Sequence, residues 1–350
     1  MSRISTKESV EITHGRRRGQ EVYPMIRFAR WYIVLALLVF SIQAFAGLKD
    51  YQIAFDNNDF LMEGVFQVLA TDLDGDLNEE LLVAGKNYIG RELFVYLLSV
   101  KDGYKPSVQW QSPNLFEERS VIWITSGKFN DLGKVLLVMT NTRFYLYQME
   151  GEGLRLIGEY HHQLEPLGVA AGDIDGDGWD ELLVTRVGDV TSKMYRCYLQ
   201  VWKLTENGWQ ATTKTDLLGN IRGLTAGDID GDGIHEIFVE EGLRVEPGTV
   251  HMLRYKDGRF GEVAKVSNEI KGAAYSMKVK TFPEGVRLMT ASHRGKVNFF
   301  KYEGSKLVKD PVELSFNSEL TDSDAIDLDS DGDLEIALIG YPRRLMILNR

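Results

Sequence analysis

Oxygen-bearing side chains fall at positions 1, 3, 5 and 9 of Asp173-Ile174-Asp175-Gly176-Asp177-Gly178-Trp179-Asp180-Glu181, which runs straight into Leu182-Leu183-Val184. A hard cation such as Ca²⁺ needs such a set, because it takes roughly six to eight oxygens at about 2.3–2.6 Å. Gly178 at position 6 tolerates φ > 0, so the chain can double back and bring the carbonyl of Trp179, at position 7, and the carboxylate of Glu181 onto one ion. Mg²⁺ suits the stretch less well, since it holds to stricter geometry and keeps its waters.

The same offsets recur three more times. Asp72, Asp74, Asp76, Asn78 and Glu80 precede Leu81-Leu82-Val83; Asp228, Asp230, Asp232, Ile234 and Glu236 precede Ile237-Phe238-Val239; Asp327, Asp329, Asp331, Asp333 and Glu335 precede Ile336-Ala337-Leu338. In each, the side chains at positions 1, 3, 5 and 9 and the carbonyl at position 7 are the candidate ligands, giving room for up to four structural Ca²⁺. The first loop departs at position 6, where Leu77 replaces glycine and meets the steric penalty of φ > 0. An EF-hand opens in the same way but needs a bidentate Glu at position 12, where this chain has Val83, Val184, Val239 and Leu338. Acid at position 9 followed directly by an apolar strand resembles the FG-GAP or VCBS repeat, the calcium-loop repeat of integrin α-subunit propellers and of many secreted bacterial proteins. The resemblance covers about residues 60–345 and rests on the four loops.

Holding such loops in register takes a repeated element. Val65 to Ala70 leads into the first loop, Leu81 to Ala84 leaves it, Leu93 to Val100 follows, Lys101-Asp102-Gly103 turns, and Tyr104 to Trp110 returns. That is one four-stranded antiparallel blade of a β-propeller. Two further repeats keep the frame without the cage. One puts Gly127, Phe129, Asp131 and Val135 at the ligand positions, and the other puts Lys278, Lys280 and Phe282 at positions 1, 3 and 5. Position 1 then falls near 72, 127, 173, 228, 278 and 327, a step of 46 to 55 residues. An all-β, six-bladed propeller follows. The last repeat ends about one strand short, and Lys49 to Phe55 can fill the gap by pairing the two termini. A seventh blade would need about fifty more residues, and the chain has no room for it.

Ahead of this domain, assigned to 47–350, stand a polar extension, 1–24, and a segment, 25–46, with the layout of a signal peptide: Arg27 and Arg30, an apolar run from Trp31 to Phe40, and a small-x-small ending at Ala46. The run is shorter than the roughly 20 residues a membrane span needs, so cleavage after Ala46 and a periplasmic or secreted protein are expected over an N-terminal anchor. Arg16-Arg17-Arg18 lies too far from the run for a twin-arginine signal, and Met25 is the preferred start. Past residue 46 the chain carries 33 basic and 48 acidic residues, a net charge of −15 without any basic stripe, which excludes nucleic acid as partner. The single cysteine, Cys197, leaves no internal disulfide, so metal is expected to be the staple.

No triad, poised acid pair or activated nucleophile stands out, and no catalytic residue is assigned. His161-His162 and His293-Arg294 read as structural, His235 as pointing to solvent, and Trp110, Trp123, Trp202 and Trp209 as packing between blades. The resemblance implies a non-enzymatic, monomeric binding module, scaffold-like or adhesion-like, for a protein or glycan at the cell envelope. A lectin, or a propeller enzyme such as a polysaccharide lyase or a quinone-dependent dehydrogenase, is the alternative.

Overall fold

A computed structural model describes residues 51–350 apart from 59, 62–64, 88–89, 102, 118–121, 130, 132, 165, 191–194, 217, 243–246, 268, 271 and 342–343. The segments 1–24 and 25–46, expected from sequence to be an extension and a signal peptide, lie outside the described residues. The chain enters through β1 (Gln52–Asn57) and then lays down sheets four strands at a time. The first is β2 (Val65–Thr71), β3 (Glu80–Asn87), β4 (Glu92–Lys101) and β5 (Lys105–Gln111). The second is β6 (Trp123–Lys128), β7 (Lys134–Met139), β8 (Arg143–Glu150) and β9 (Gly153–His161). The third is β10 (Pro166–Gly172), β11 (Glu181–Val190), β12 (Tyr195–Thr205) and β13 (Gly208–Lys214). The fourth is β14 (Ile221–Gly227), β15 (Glu236–Glu241), β16 (Thr249–Lys256) and β17 (Arg259–Ser267). The fifth is β18 (Ala274–Phe282), β19 (Gly285–Ser292), β20 (Lys296–Glu303) and β21 (Lys306–Ser315). The last, β22 (Leu320–Ile326), β23 (Glu335–Gly340) and β24 (Arg344–Asn349), takes β1 as its fourth strand.

All neighbours within a sheet are antiparallel, and β2, β6, β10, β14, β18 and β22 touch one another in sequence and close on themselves. The fold is a six-bladed β-propeller with those strands innermost. Burial peaks at the second strand of each blade and falls toward the rim. Second strands such as β7 and β23 are covered on both faces by adjacent blades and read as nearly unbroken apolar runs, whereas fourth strands such as β13 are largely open to solvent. Inner strands run close together and use small residues: a Cβ on Gly223 would lie 2.5 Å from the Ala274 carbonyl of the next blade.

Closure has two parts. At the rim, β1 pairs with β24 from Gln52↔Asn349 to Asn57↔Leu345, and Arg344 grips Asp56 through Nε and Nη2 at 2.7 and 2.6 Å. This is the pairing of termini expected from the short last repeat. At the axis, side chains join the last blade to the first. Asp322 Oδ2 accepts the Val68 N–H at 2.9 Å and Asp324 Oδ2 accepts that of Ala70 at 2.8 Å, so two carboxylates of β22 satisfy backbone donors of β2. Lys280 of β18 donates to the Ala70 carbonyl at 3.0 Å and to Glu79 at 2.7 Å, and lies 3.5 Å from Asp324 Oδ1. Burial pulls the Lys280 pKa down, but Asp324 and Glu79 outweigh it and leave it raised.

Candidate metal loops and the channel mouth

All four acidic loops connect an inner strand to the second strand of its blade, so they sit at one end of the propeller. Each is held by its own backbone. The position 9 carboxylate accepts the N–H of position 2: Leu73 to Glu80 at 2.6 Å, Ile174 to Glu181 at 3.1 Å, Ile229 to Glu236 at 3.2 Å and Leu328 to Glu335 at 2.8 Å. The position 1 Asp accepts from position 6, and Asp at position 5 accepts from position 7: Asn78 to Asp76, Trp179 to Asp177, Ile234 to Asp232 and Asp333 to Asp331. These bonds orient the carboxylates before any ion arrives.

Position 6 has the positive φ the sequence demands, +88° at Gly178, +86° at Gly233 and +85° at Gly332, and Leu77 is forced to +75°. Position 4, which sequence reading passed over, is left-handed too, at Gly75, Gly176, Gly231 and Ser330. The Leu77 side chain is 91% exposed, so nothing offsets its strain. Leu77→Gly is expected to raise stability by about 0.5–1 kcal/mol in EDTA, read from urea denaturation. An unchanged midpoint would show that the strain is relieved elsewhere.

Three loops bring positions 1, 3 and 9 together, with ligand oxygens within 4.8 Å of one another: Asp173, Asp175 and Glu181; Asp228, Asp230 and Glu236; Asp327, Asp329 and Glu335. In the first loop Asp72, Asp74 and Asp76 converge, and Glu80 is not in the group. What faces these oxygens differs. Lys203 Nζ, from β12, lies 2.7 Å from Asp175, 2.9 Å from Asp177 and 2.9 Å from Glu181. Arg254, from β16, binds Glu236 at 2.7 Å, contacts Asp230, and reaches Asp232 at 3.4 Å. Burial pulls the Lys203 pKa down, but hydrogen bonds to Asp175, Asp177 and Glu181 leave it raised. In the last loop, by contrast, Asp327 Oδ1 and Glu335 Oε1 are buried without a hydrogen-bond partner. Burial, with the charges of Asp329, Asp331 and Asp327, pushes Glu335 up to about 7.

The two cage-less repeats fill the same frame with aromatic rings. Phe129 is buried under Trp209, with ring centroids 5.0 Å apart, and Phe282 packs on Phe299 at 5.6 Å. Asp131, the one carboxylate of the second repeat's frame, is exposed. In the fifth repeat β18 runs unbroken to Phe282 and a two-residue turn leads to Gly285, so Lys278 and Lys280 lie on the inner strand rather than in a loop.

At the opposite end, where inner strands begin, a cavity of about 560 Å³ opens on the axis. Phe66, Trp123, Tyr195 and Tyr275 give it aromatic walls, and Lys86 and Arg222 give it positive charge. Arg222 makes no hydrogen bond or ion pair with the described residues, and its Nε is buried. Nearby Glu240 is buried too, and burial, opposed by Arg222, pushes it up to about 8. Trp123 lines this cavity and also packs against the core of its blade, as Trp202 and Trp209 do, while Trp110 stacks edge-on against Tyr147. His162 lies against Phe144 at 4.4 Å, and His293 pairs with Glu319 at 2.5 Å. Cys197 is a buried free thiol on β12.

Comparison with protein-family profiles and with characterised proteins finds no match in either. The chain is a six-bladed propeller with acidic loops able to hold metal ions.

Proposed function

We propose that the protein is an exported, calcium-stapled propeller of the FG-GAP or VCBS kind that works by binding, with its protein or glycan partner seated at the channel mouth. The observation that carries this reading is the division of labour between the two ends. Carboxylate loops that tie inner strands to second strands occupy one end, and an aromatic cavity with Arg222, whose buried Nε has no hydrogen-bond partner among the described residues, occupies the other. The donor set suits Ca²⁺ as a structural ion: all-oxygen, with carboxylates preset by backbone N–H groups. Among the described residues the cavity lining has Arg, Lys, Asn and Gln but no His or carboxylate, a set that recognises an acidic group flanked by apolar surface.

The test is a screen of the purified protein against acidic glycans and envelope proteins, followed by Arg222→Glu and Trp123→Ala. A partner that uses this mouth should lose at least about tenfold in affinity with either variant, a change of about 1.4 kcal/mol. Full affinity in both variants would move the binding surface elsewhere. Turnover of a glycan in place of binding would favour the enzyme class.

A further inference from the structure

One register position sorts the four acidic loops into two kinds. In each of their blades the third strand passes beside position 9, with Leu182 opposite Trp202, Ile237 opposite Leu253, Leu81 opposite Leu98 and Ile336 opposite Leu348. The next residue along the third strand is Lys203, Arg254, Ser99 and Asn349, respectively. Two loops thus receive a cation from their own blade, and the other two blades have a neutral residue at that register position.

We propose that Lys203 and Arg254 are built-in substitutes for the metal, so that the protein binds two Ca²⁺, in the loops 72–80 and 327–335, although four loops have the liganding residues. The Lys203 ammonium has three donors and meets three oxygens, those of positions 3, 5 and 9, all within 2.9 Å. Those oxygens are what a calcium ion needs, and an ion entering there must expel a cation already neutralising them. Arg254 does the same in its loop through Asp230, Asp232 and Glu236.

The loop 327–335 shows the converse. Glu335 is fully buried, its Oε1 has no hydrogen-bond partner, and neither has the buried Asp327 Oδ1, although both lie in the converging group. A buried carboxylate oxygen without a partner is costly unless a ligand completes it. Among the described residues, Arg350 comes within 3.7 Å of Asp333 and is engaged by Glu284. Tyr104, a neutral donor, holds Asp329 at 2.7 Å. The loop 72–80 likewise has no ion pair at its position 1, 3, 5 or 9 carboxylates among the described residues.

This inference rests on the calcium reading above, and calorimetric titration of EDTA-stripped protein with CaCl₂ separates the two. Two ions should bind the natural protein, one should bind Glu335→Gln, and two should still bind Asp175→Asn. The double variant Lys203→Met, Arg254→Met, folded in the presence of calcium, should bind four. Should that variant fail to fold, the single change Lys203→Gln should bind three. Four ions in the natural protein, unchanged when Lys203 and Arg254 are replaced, would overturn the inference and leave the calcium reading standing. No binding by any of these proteins would sink the calcium reading and the inference together.

Discussion

Replacing Asp324 by alanine is expected to cost about 3–5 kcal/mol of folding stability, the range for breaking a buried charge pair on one side. Asp324 is 1% exposed, on the innermost strand of the last blade. Its loss leaves the Ala70 N–H of the first blade without its acceptor. It also removes a carboxylate that faces two lysines, Lys278 at 3.6 Å and Lys280 at 3.5 Å. Asp324→Asn keeps the shape and one oxygen but not the charge, and should cost less. Urea denaturation of both variants, with Lys265→Ala as an exposed control, checks the ordering. A loss below about 1 kcal/mol for Asp324→Ala would mean that blade packing alone closes the axis.

The second large effect is metal removal. With free Ca²⁺ about a hundredfold above Kd, each filled loop contributes about 2.7 kcal/mol. Two loops then add about 5 kcal/mol, which for a domain of this length is a rise of about 10 °C in Tm. Thermal melts in EDTA, in millimolar Ca²⁺ and in Mg²⁺ should show that rise with calcium alone. Glu335→Gln should remove about half of it, because the amide supplies a weaker ligand at the most deeply buried position. A calcium response of under about 2 °C would make the loops plain acidic turns.

Much of the architecture was legible because the repeat writes it several times. Position 9 acid followed by an apolar run marks the start of β3, β11, β15 and β23, since those strands are buried on both faces and tolerate little but Val, Leu, Ile and Phe. The N-terminal segment was readable as the missing strand because the last repeat stops after Leu348 and Asn349. The frame of the fifth repeat was readable as well, though not its content. Lys278 and Lys280 align with loop positions, but without carboxylates to hold a loop open the strands zip to a tight turn and the lysines face the axis.

The surroundings of the loops were not legible, for a reason of distance. Lys203 and Arg254 lie a strand and a turn away from Glu181 and Glu236, and only the register of β11 with β12 and of β15 with β16 brings them over the cages. A sequence read one loop at a time sees four equal acidic motifs. Aligning the third strands as well would have exposed the Lys, Arg, Ser and Asn at that one position. Arg222 was missed for a similar reason: it comes from a different blade than Trp123, and the two meet only at the axis.

The six blades fill one place in three ways: a ring of Phe in the second and fifth, a cation of the chain in the third and fourth, and open carboxylates in the first and last. The self-sufficient blades are contiguous, residues 123–315, and the open ones flank the junction of the two chain ends. On the proposed assignment the response to an ion is local. The middle four blades hold this place with groups of the chain itself, and only the two blades beside the β1–β24 pairing take an ion there. Adding or stripping the ion would then tighten or loosen the propeller on one side, around the junction, and leave the opposite arc as it is.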